Sequence, residues 1–316
     1  MAKELRVAGN VVEIVGMVKE HNLKEGKGDS GKYINGNIVV KTGEYSEQKV
    51  KVFVSEKNKE GKVKKAYETL NKFISEDLKT MVNCGEEKAT EVSLWSSNKS
   101  FAPQLKEEIF AVEGNAKTSI SIDLGFGNIT VKNDITEKDY KAEFDIEMYV
   151  SEVVEEVKND EETGRAIIKG YVPCYGGLVF PIELIAGMIE GYEEGEEINF
   201  AEALLDAGIE GQTLNIWGSI NHSKIVEKIK KGEGKLGRVK IEEKVTYVHE
   251  FVAEGGEEIE DEDKEFDEDL IRKALKERDI KIKEVEENAE KGESKNSKGK
   301  GLKTSTDGAA KRRPKF

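Results

Sequence analysis

This sequence is short of several things. Among 316 residues there are only two cysteines, Cys84 and Cys174, too few for a disulfide framework or a four-ligand zinc site, which points to a reducing compartment. The three histidines, His21, His222 and His249, share no metal-ligand spacing with one another or with a cysteine. No nucleophile has a base placed beside it. No apolar run approaches the roughly 18 residues that a membrane-crossing helix needs, and the opening Met1-Ala2-Lys3-Glu4-Leu5-Arg6 lacks the apolar core of a signal peptide. A soluble cytoplasmic protein with no metal, no cofactor, no catalytic constellation and no membrane partner is expected.

Charge, by contrast, is plentiful: 36% of the residues are charged and the net charge is −14. Its distribution matters more than its sum. Residues 1–135 carry 21 basic and 20 acidic side chains, residues 136–253 carry 13 and 25, and residues 254–316 carry 16 and 19. Residues 254–269 hold eleven acids against Lys264 alone, whereas residues 291–316 hold nine bases and two acids. A balanced first half, an acidic second half and a zwitterionic tail suggest parts with different partners.

The first half reads as strands around one helix. β-Branched and apolar residues predict strands over 11–18, 33–40, 92–95, 108–112, 119–122 and 128–131. Lys49-Val50-Lys51-Val52-Phe53-Val54 alternates with period two, the mark of a strand with one wet face. Val63, Ala66, Tyr67, Leu70, Phe73, Ile74 and Leu78 follow helical spacing. Strands interrupted by one helix before the last strands give the element order of an OB-fold, a small Greek-key barrel. The second half repeats that order, with strands over 143–157, 165–172, 213–217 and 239–248 and a helix over 200–207 capped by Gly208. Both tryptophans end similar strings, Val92-Ser93-Leu94-Trp95-Ser96-Ser97 and Leu214-Asn215-Ile216-Trp217-Gly218-Ser219, which argues for a tandem duplication. The expected fold is mainly β: two tandem OB-fold-like barrels with short helices and a charged, partly helical, partly disordered tail. The expected divisions are 1–135, an acidic 136–253, an acidic linker with a solvated helix over 254–290, and a basic disordered tail over 291–316. The folded part is expected to span about 8–252.

Two motifs fail on inspection. Gly26-Lys27-Gly28-Asp29-Ser30-Gly31-Lys32 resembles a phosphate-binding loop, but Tyr33 stands where Ser or Thr should hold magnesium, and a strand follows where a helix should open. A hairpin loop accounts for it better. The alternating carboxylates of 261–269 lack the glycine a calcium loop turns on.

One positive signal remains. Seven lysines lie between positions 49 and 65 against only Glu56 and Glu60. Lysines attract phosphate through counterion release, and aromatic faces stack bases. The candidate nucleic-acid-binding residues are therefore Tyr33, Lys41, Tyr45, Lys49, Lys51, Phe53, Lys57, Lys59, Lys62, Trp95 and Phe101. The alternative for the cluster is a solvated lysine face over core aromatics.

The element order, the two Trp-ended strands and the charged tail together resemble the OB-fold single-stranded DNA-binding proteins of bacteriophages, most clearly over residues 8–135. The Lys/Glu/Ile-rich, proline-poor composition is similar to that of phages of low-GC Gram-positive bacteria. The resemblance implies non-enzymatic, sequence-tolerant binding of single-stranded DNA during replication or recombination in the host cytoplasm. The strand carrying Lys49, Lys51 and Phe53 would then lie on the binding face. The acidic half is expected to meet other replication or recombination proteins or a second copy of the chain. The competing expectation is a viral structural or interaction protein of β-domains with no DNA affinity.

Overall fold

Alternation along the strands decides which side chains fill each barrel. The computed structural model describes residues 4–29, 31–96, 102–191, 196–231, 240–259 and 261–296. The first half runs β1 (Asn10–His21), β2 (Lys24–Gly28), β3 (Gly31–Lys41), β4 (Glu47–Ser55), α1 (Lys65–Ile74), α2 (Met81–Cys84), β5 (Glu91–Trp95), β6 (Gln104–Val112), β7 (Asn115–Asp123) and β8 (Asn128–Lys132). Antiparallel pairs join β1 to β3, β3 to β4, β1 to β5 and β5 to β8. The end of β7 closes the barrel in parallel against β4, Val50 opposite Ile122. Inside, Ile14, Ile34, Ile38, Val50 and Leu94 are fully buried, and α1 adds Leu70 and Phe73. Each such side chain contributes roughly 1.5–3 kcal/mol relative to an exposed one.

The second half uses the same plan. It runs β9 (Lys141–Lys158), β10 (Glu161–Cys174), β11 (Leu178–Ala186), β12 (Met188–Glu190), β13 (Glu197–Asn199), α3 (Phe200–Ala207), β14 (Thr213–Lys231) and β15 (Lys240–Glu258). β9 pairs with β10 and β14, β10 with β11, and β14 with β15, all antiparallel. β11 and β15 close the ring in parallel, Ile185 opposite Val252. The protein is thus two tandem OB-fold-like barrels. Gly208 ends α3 with φ 62°, the left-handed turn glycine adopts without strain. At Trp217/Gly218 the β14–β15 register slips by one residue, Glu254. A Cβ on Gly218 would stand 1.9 Å from the Val252 carbonyl oxygen, so only glycine admits this bend.

Strand pairing and hydrogen bonds bind the barrels to each other. β1 and β9 pair antiparallel from Asn10–Ile146 to Val15–Lys141, merging both barrels into one sheet. Further along, the fully buried Gln48 donates its amide to the Ile220 carbonyl at 3.0 Å, and the Lys224 amide donates to Tyr45 O at 3.0 Å.

The stretch after residue 253 differs from the sequence expectation. β15 continues to Glu258, and Phe266 is buried beneath the Arg6 guanidinium, 4.2 Å from its ring centre. α4 (Glu268–Asn296) is not solvated on all sides: Ile271 and Ala274 are buried, and the helix touches β11 of one barrel and β6 and β7 of the other. Arg278 holds Glu107 of β6 through two bonds of 2.8 and 2.5 Å, with side-chain exposures of only 14% and 9%. The net acidity of 254–269 had suggested a repelling linker, but packing follows the few apolar positions, not the mean charge. The expectation for residues beyond 296 lies outside the described residues. Among the described residues no helix is long and apolar enough to cross a membrane.

Candidate nucleic-acid interface

β3 and β4 present one outward face. On β4, Val50, Val52 and Val54 point into the barrel, while Lys49, Lys51 and Phe53 point out. On β3, Ile34, Ile38 and Val40 are buried, so Tyr33, Asn35, Asn37 and Val39 share the outer side. The register sets Asn35 opposite Phe53, Asn37 opposite Lys51 and Val39 opposite Lys49. Tyr33 and Phe53 meet ring to ring, with centroids 5.2 Å apart and planes tilted by 32°. Phe53 is 63% exposed, a large apolar ring kept in water by its strand phase alone.

Charge frames these rings. Lys51 pairs with Glu108 of the β6–β7 hairpin. Burial alone would raise the Glu108 carboxyl, but hydrogen bonds from Lys51 and Ser121 and the nearby Lys49 charge hold it below its ordinary value. Lys49 makes no ion pair among the described residues. Lys64, just before α1, donates to Ser55 Oγ at 2.7 Å and stands 5.8 Å from the ring centre of Phe126, and partial burial lowers its pKa. Phe126 is 73% exposed between Gly125 and Gly127. It escaped selection from sequence, although a phenylalanine flanked by glycines in a turn was the available signal. Tyr33 and Phe53 beside Lys49 and Lys51, with Phe126 near Lys64 at the end of β4, suit the stacking of bases and the neutralising of phosphates.

The hairpin beside this face is pinned. The segment resembling a phosphate loop is the β2–β3 hairpin, Lys27 opposite Lys32. Tyr67 of α1 donates to Glu25 of β2 at 2.7 Å, and burial together with that bond pushes its hydroxyl up to about 12. Lys32 pairs with the same carboxylate at 2.9 Å.

The remaining candidates scatter. Tyr45 is 62% exposed at the β3–β4 turn, its hydroxyl bonded to Glu44, which raises its pKa. Lys57, Lys59 and Lys62 are exposed between β4 and α1, with Lys62 paired to Glu60 at 3.0 Å. Lys41 stands apart from the others: it shares the outer phase of β3 but is engaged by Glu86 and Glu137 with only 15% of its side chain exposed, so it ties loops together. Trp95 stands apart as well. It is 48% exposed, yet it lines a groove of about 520 Å³ with Trp217, and Glu13, Glu143, Asp145 and Glu254 stand around the two indoles. No residue of β3 or β4 lines that groove. The alternation that exposes Trp95 does not say which face of the barrel receives it. Phe101 lies outside the described residues.

The two tryptophans sit at corresponding points of their barrels, but only Trp95 ends its strand; Trp217 lies five residues into β14, which runs on to Lys231. Trp217 is opposite Asp145 on the first strand of its barrel, and Trp95 follows the Leu94–Ile14 pair, beside Glu13. Carboxylates around both indoles repel a polyanion. Saturating single-stranded oligonucleotide is therefore expected to change tryptophan emission by less than about a tenth under conditions of stoichiometric binding. Strong quenching would place the strand in the seam groove instead.

The fold and this face define a tandem OB-fold-like barrel protein with an exposed aromatic and cationic sheet surface. The chain matches the YorF family over residues 8–288 and belongs to it. A search of curated proteins returned no match. Among solved structures, a deletion mutant of the single-stranded DNA-binding protein from Thermus aquaticus is similar with a TM-score of 0.42 and 10% identity, covering 83% of this chain and 98% of that one. A likeness this loose carries no inference about function.

Proposed function

We propose that this protein binds single-stranded DNA through the β3–β4 face of its first barrel, without strong sequence preference and without catalysis. The observation that carries this reading is the Tyr33–Phe53 ring pair, Phe53 exposed and Tyr33 half-buried, on a barrel sheet flanked by Lys49, Lys51 and Lys64. Rings stack on any base, and lysines meet any phosphate, so the surface is sequence-tolerant by construction. The rigid strands hold both groups in place before the ligand arrives, which limits the ordering cost of binding. In this reading the protein covers exposed strands during bacteriophage DNA replication or recombination in the host cytoplasm. The acidic second half serves protein contacts.

Fluorescence anisotropy with a labelled oligothymidylate across a salt series tests it. Affinity is expected to fall linearly on logarithmic axes as salt rises, with a slope near −2 if about three lysines meet phosphates at roughly 0.7 per contact. Unlabelled duplex is expected to compete at least tenfold less well than single strand. No binding at low salt, or equal competition by duplex, would overturn the proposal.

A further inference from the structure

The β3–β4 face does not end at the edge of its barrel. Beyond Asn37 and Lys49 it opens into a second groove of about 520 Å³, whose far wall is the β14–β15 hairpin of the other barrel, bearing His222, Lys224, Tyr247 and His249. Tyr247 is 64% exposed, and Lys224, directly opposite it in the hairpin, is exposed as well. His222 and His249 face each other with ring centroids 5.0 Å apart. The wall is fixed in position: the Lys224 amide donates to Tyr45 O, Ser223 bridges to Ser46, and Gln48 reaches the Ile220 carbonyl.

The groove repeats the chemistry of the first face with residues drawn from the barrel whose overall charge is acidic. It offers an exposed aromatic ring, a lysine on each wall and the Asn37 amide. Two carboxylates also line it, and they count against an anion: Glu20 is exposed, and Glu47 is neutralised by an ion pair with Lys19. Burial first, and the neighbouring His249 second, push the His222 imidazole down to about 4, so at neutral pH it is an uncharged ring. A metal is a poor fit, because no three His, Cys, Asp or Glu side chains converge to hold one among the described residues.

We propose that a bound single strand continues from the β3–β4 face into this inter-barrel groove, where Tyr247 stacks a base and Lys224 meets a phosphate. The inference rests on the single-strand reading above and adds the second barrel to the site. Its consequence is a binding site longer than one barrel, reached only by strands long enough to span the junction.

The test uses the full chain with oligothymidylates of 6 and 30 nucleotides. Tyr247→Ala and Lys224→Ala are each expected to weaken binding of the long strand about 5- to 20-fold and to shorten the occluded length, while the short strand changes less than about 2-fold. Photo-crosslinking of a 30-nucleotide strand carrying 5-iododeoxyuridine is expected to mark Tyr247 in the unaltered protein, a readout independent of how the variants fold. If the unaltered protein binds neither strand, the β3–β4 reading itself fails. If it binds both, but the two variants match it on the long strand and no crosslink reaches β14 or β15, only the extension into the second barrel is overturned.

Discussion

Alanine at Phe53 is expected to weaken single-stranded DNA binding by about 10-fold or more, since one base–aromatic stack is worth roughly 1–3 kcal/mol. The ring is 63% exposed and its inward neighbours Val52 and Val54 are buried without it, so the melting temperature should hardly move. Tyr33 loses its ring partner in the same variant, which adds to the loss because the pair presents one continuous surface. Phe53→Tyr keeps a π-face and is expected to stay within about 2-fold of the unaltered protein. Lysine variants separate the electrostatic part. Lys49→Ala, which breaks no ion pair among the described residues, is expected to flatten the salt dependence by nearly one contact, roughly 0.7 on a single strand. Lys51→Ala should do less, because Glu108 already offsets its charge. Titrations of the four variants at two salt concentrations decide the matter. Phe53→Ala binding as the unaltered protein does, with only the lysine variants impaired, would reduce the face to a charged patch and remove stacking from the account.

The second large effect concerns the helix that spans both barrels. Arg278→Ala strands the Glu107 carboxylate, 9% exposed, without the guanidinium that satisfies both its oxygens. Removing one partner of a buried ion pair costs about 3–5 kcal/mol, and the lower end applies here because water reaches part of the site. Hydrogen exchange in α4 should accelerate by about two orders of magnitude, since 1.4 kcal/mol is a factor of ten. Replacing both members, as Arg278→Met with Glu107→Leu, is expected to restore much of the protection, because a well-packed apolar pair is often as stable as the ion pair it replaces. Unchanged exchange in Arg278→Ala would mean that Ile271 and Ala274 hold the helix by themselves.

Much of this was legible along the chain, and the reasons differ from element to element. The β4 strand announced itself because period-two alternation is a local property: Lys49, Lys51 and Phe53 must share a side whatever the rest of the chain does. α3 and its Gly208 stop were equally plain, since a short apolar helix and a left-handed glycine need only their own neighbours. α4 was misread through its charge. Its inward positions Ile271, Ala274 and Arg278 keep helical spacing, but three sites among so many acids and lysines do not reveal that two barrels lie beneath them. The surroundings of Lys41 and Trp95 were illegible for a related reason. Exposure followed from their strands, but the Glu86 and Glu137 that claim Lys41, and the carboxylates around Trp95, come from distant positions.

By itself the sequence determined the two-sided alternation of strands such as β4, the helices α1 and α3, and that a similar order of strands and helix recurs in the second half. Each of these follows from φ/ψ preference and side-chain periodicity over a few consecutive residues. Only the tertiary structure decided which exposed faces become neighbours. The parallel closures Val50–Ile122 and Ile185–Val252, the β1–β9 seam and the clamp of β14 on the β3–β4 turn join residues far apart in the chain. Those pairings set a lysine and a tyrosine of the acidic half beside the basic face, and gathered three histidines of unrelated spacing into one groove. Long-range strand pairing is chosen by the burial of whole surfaces, and no local pattern encodes it.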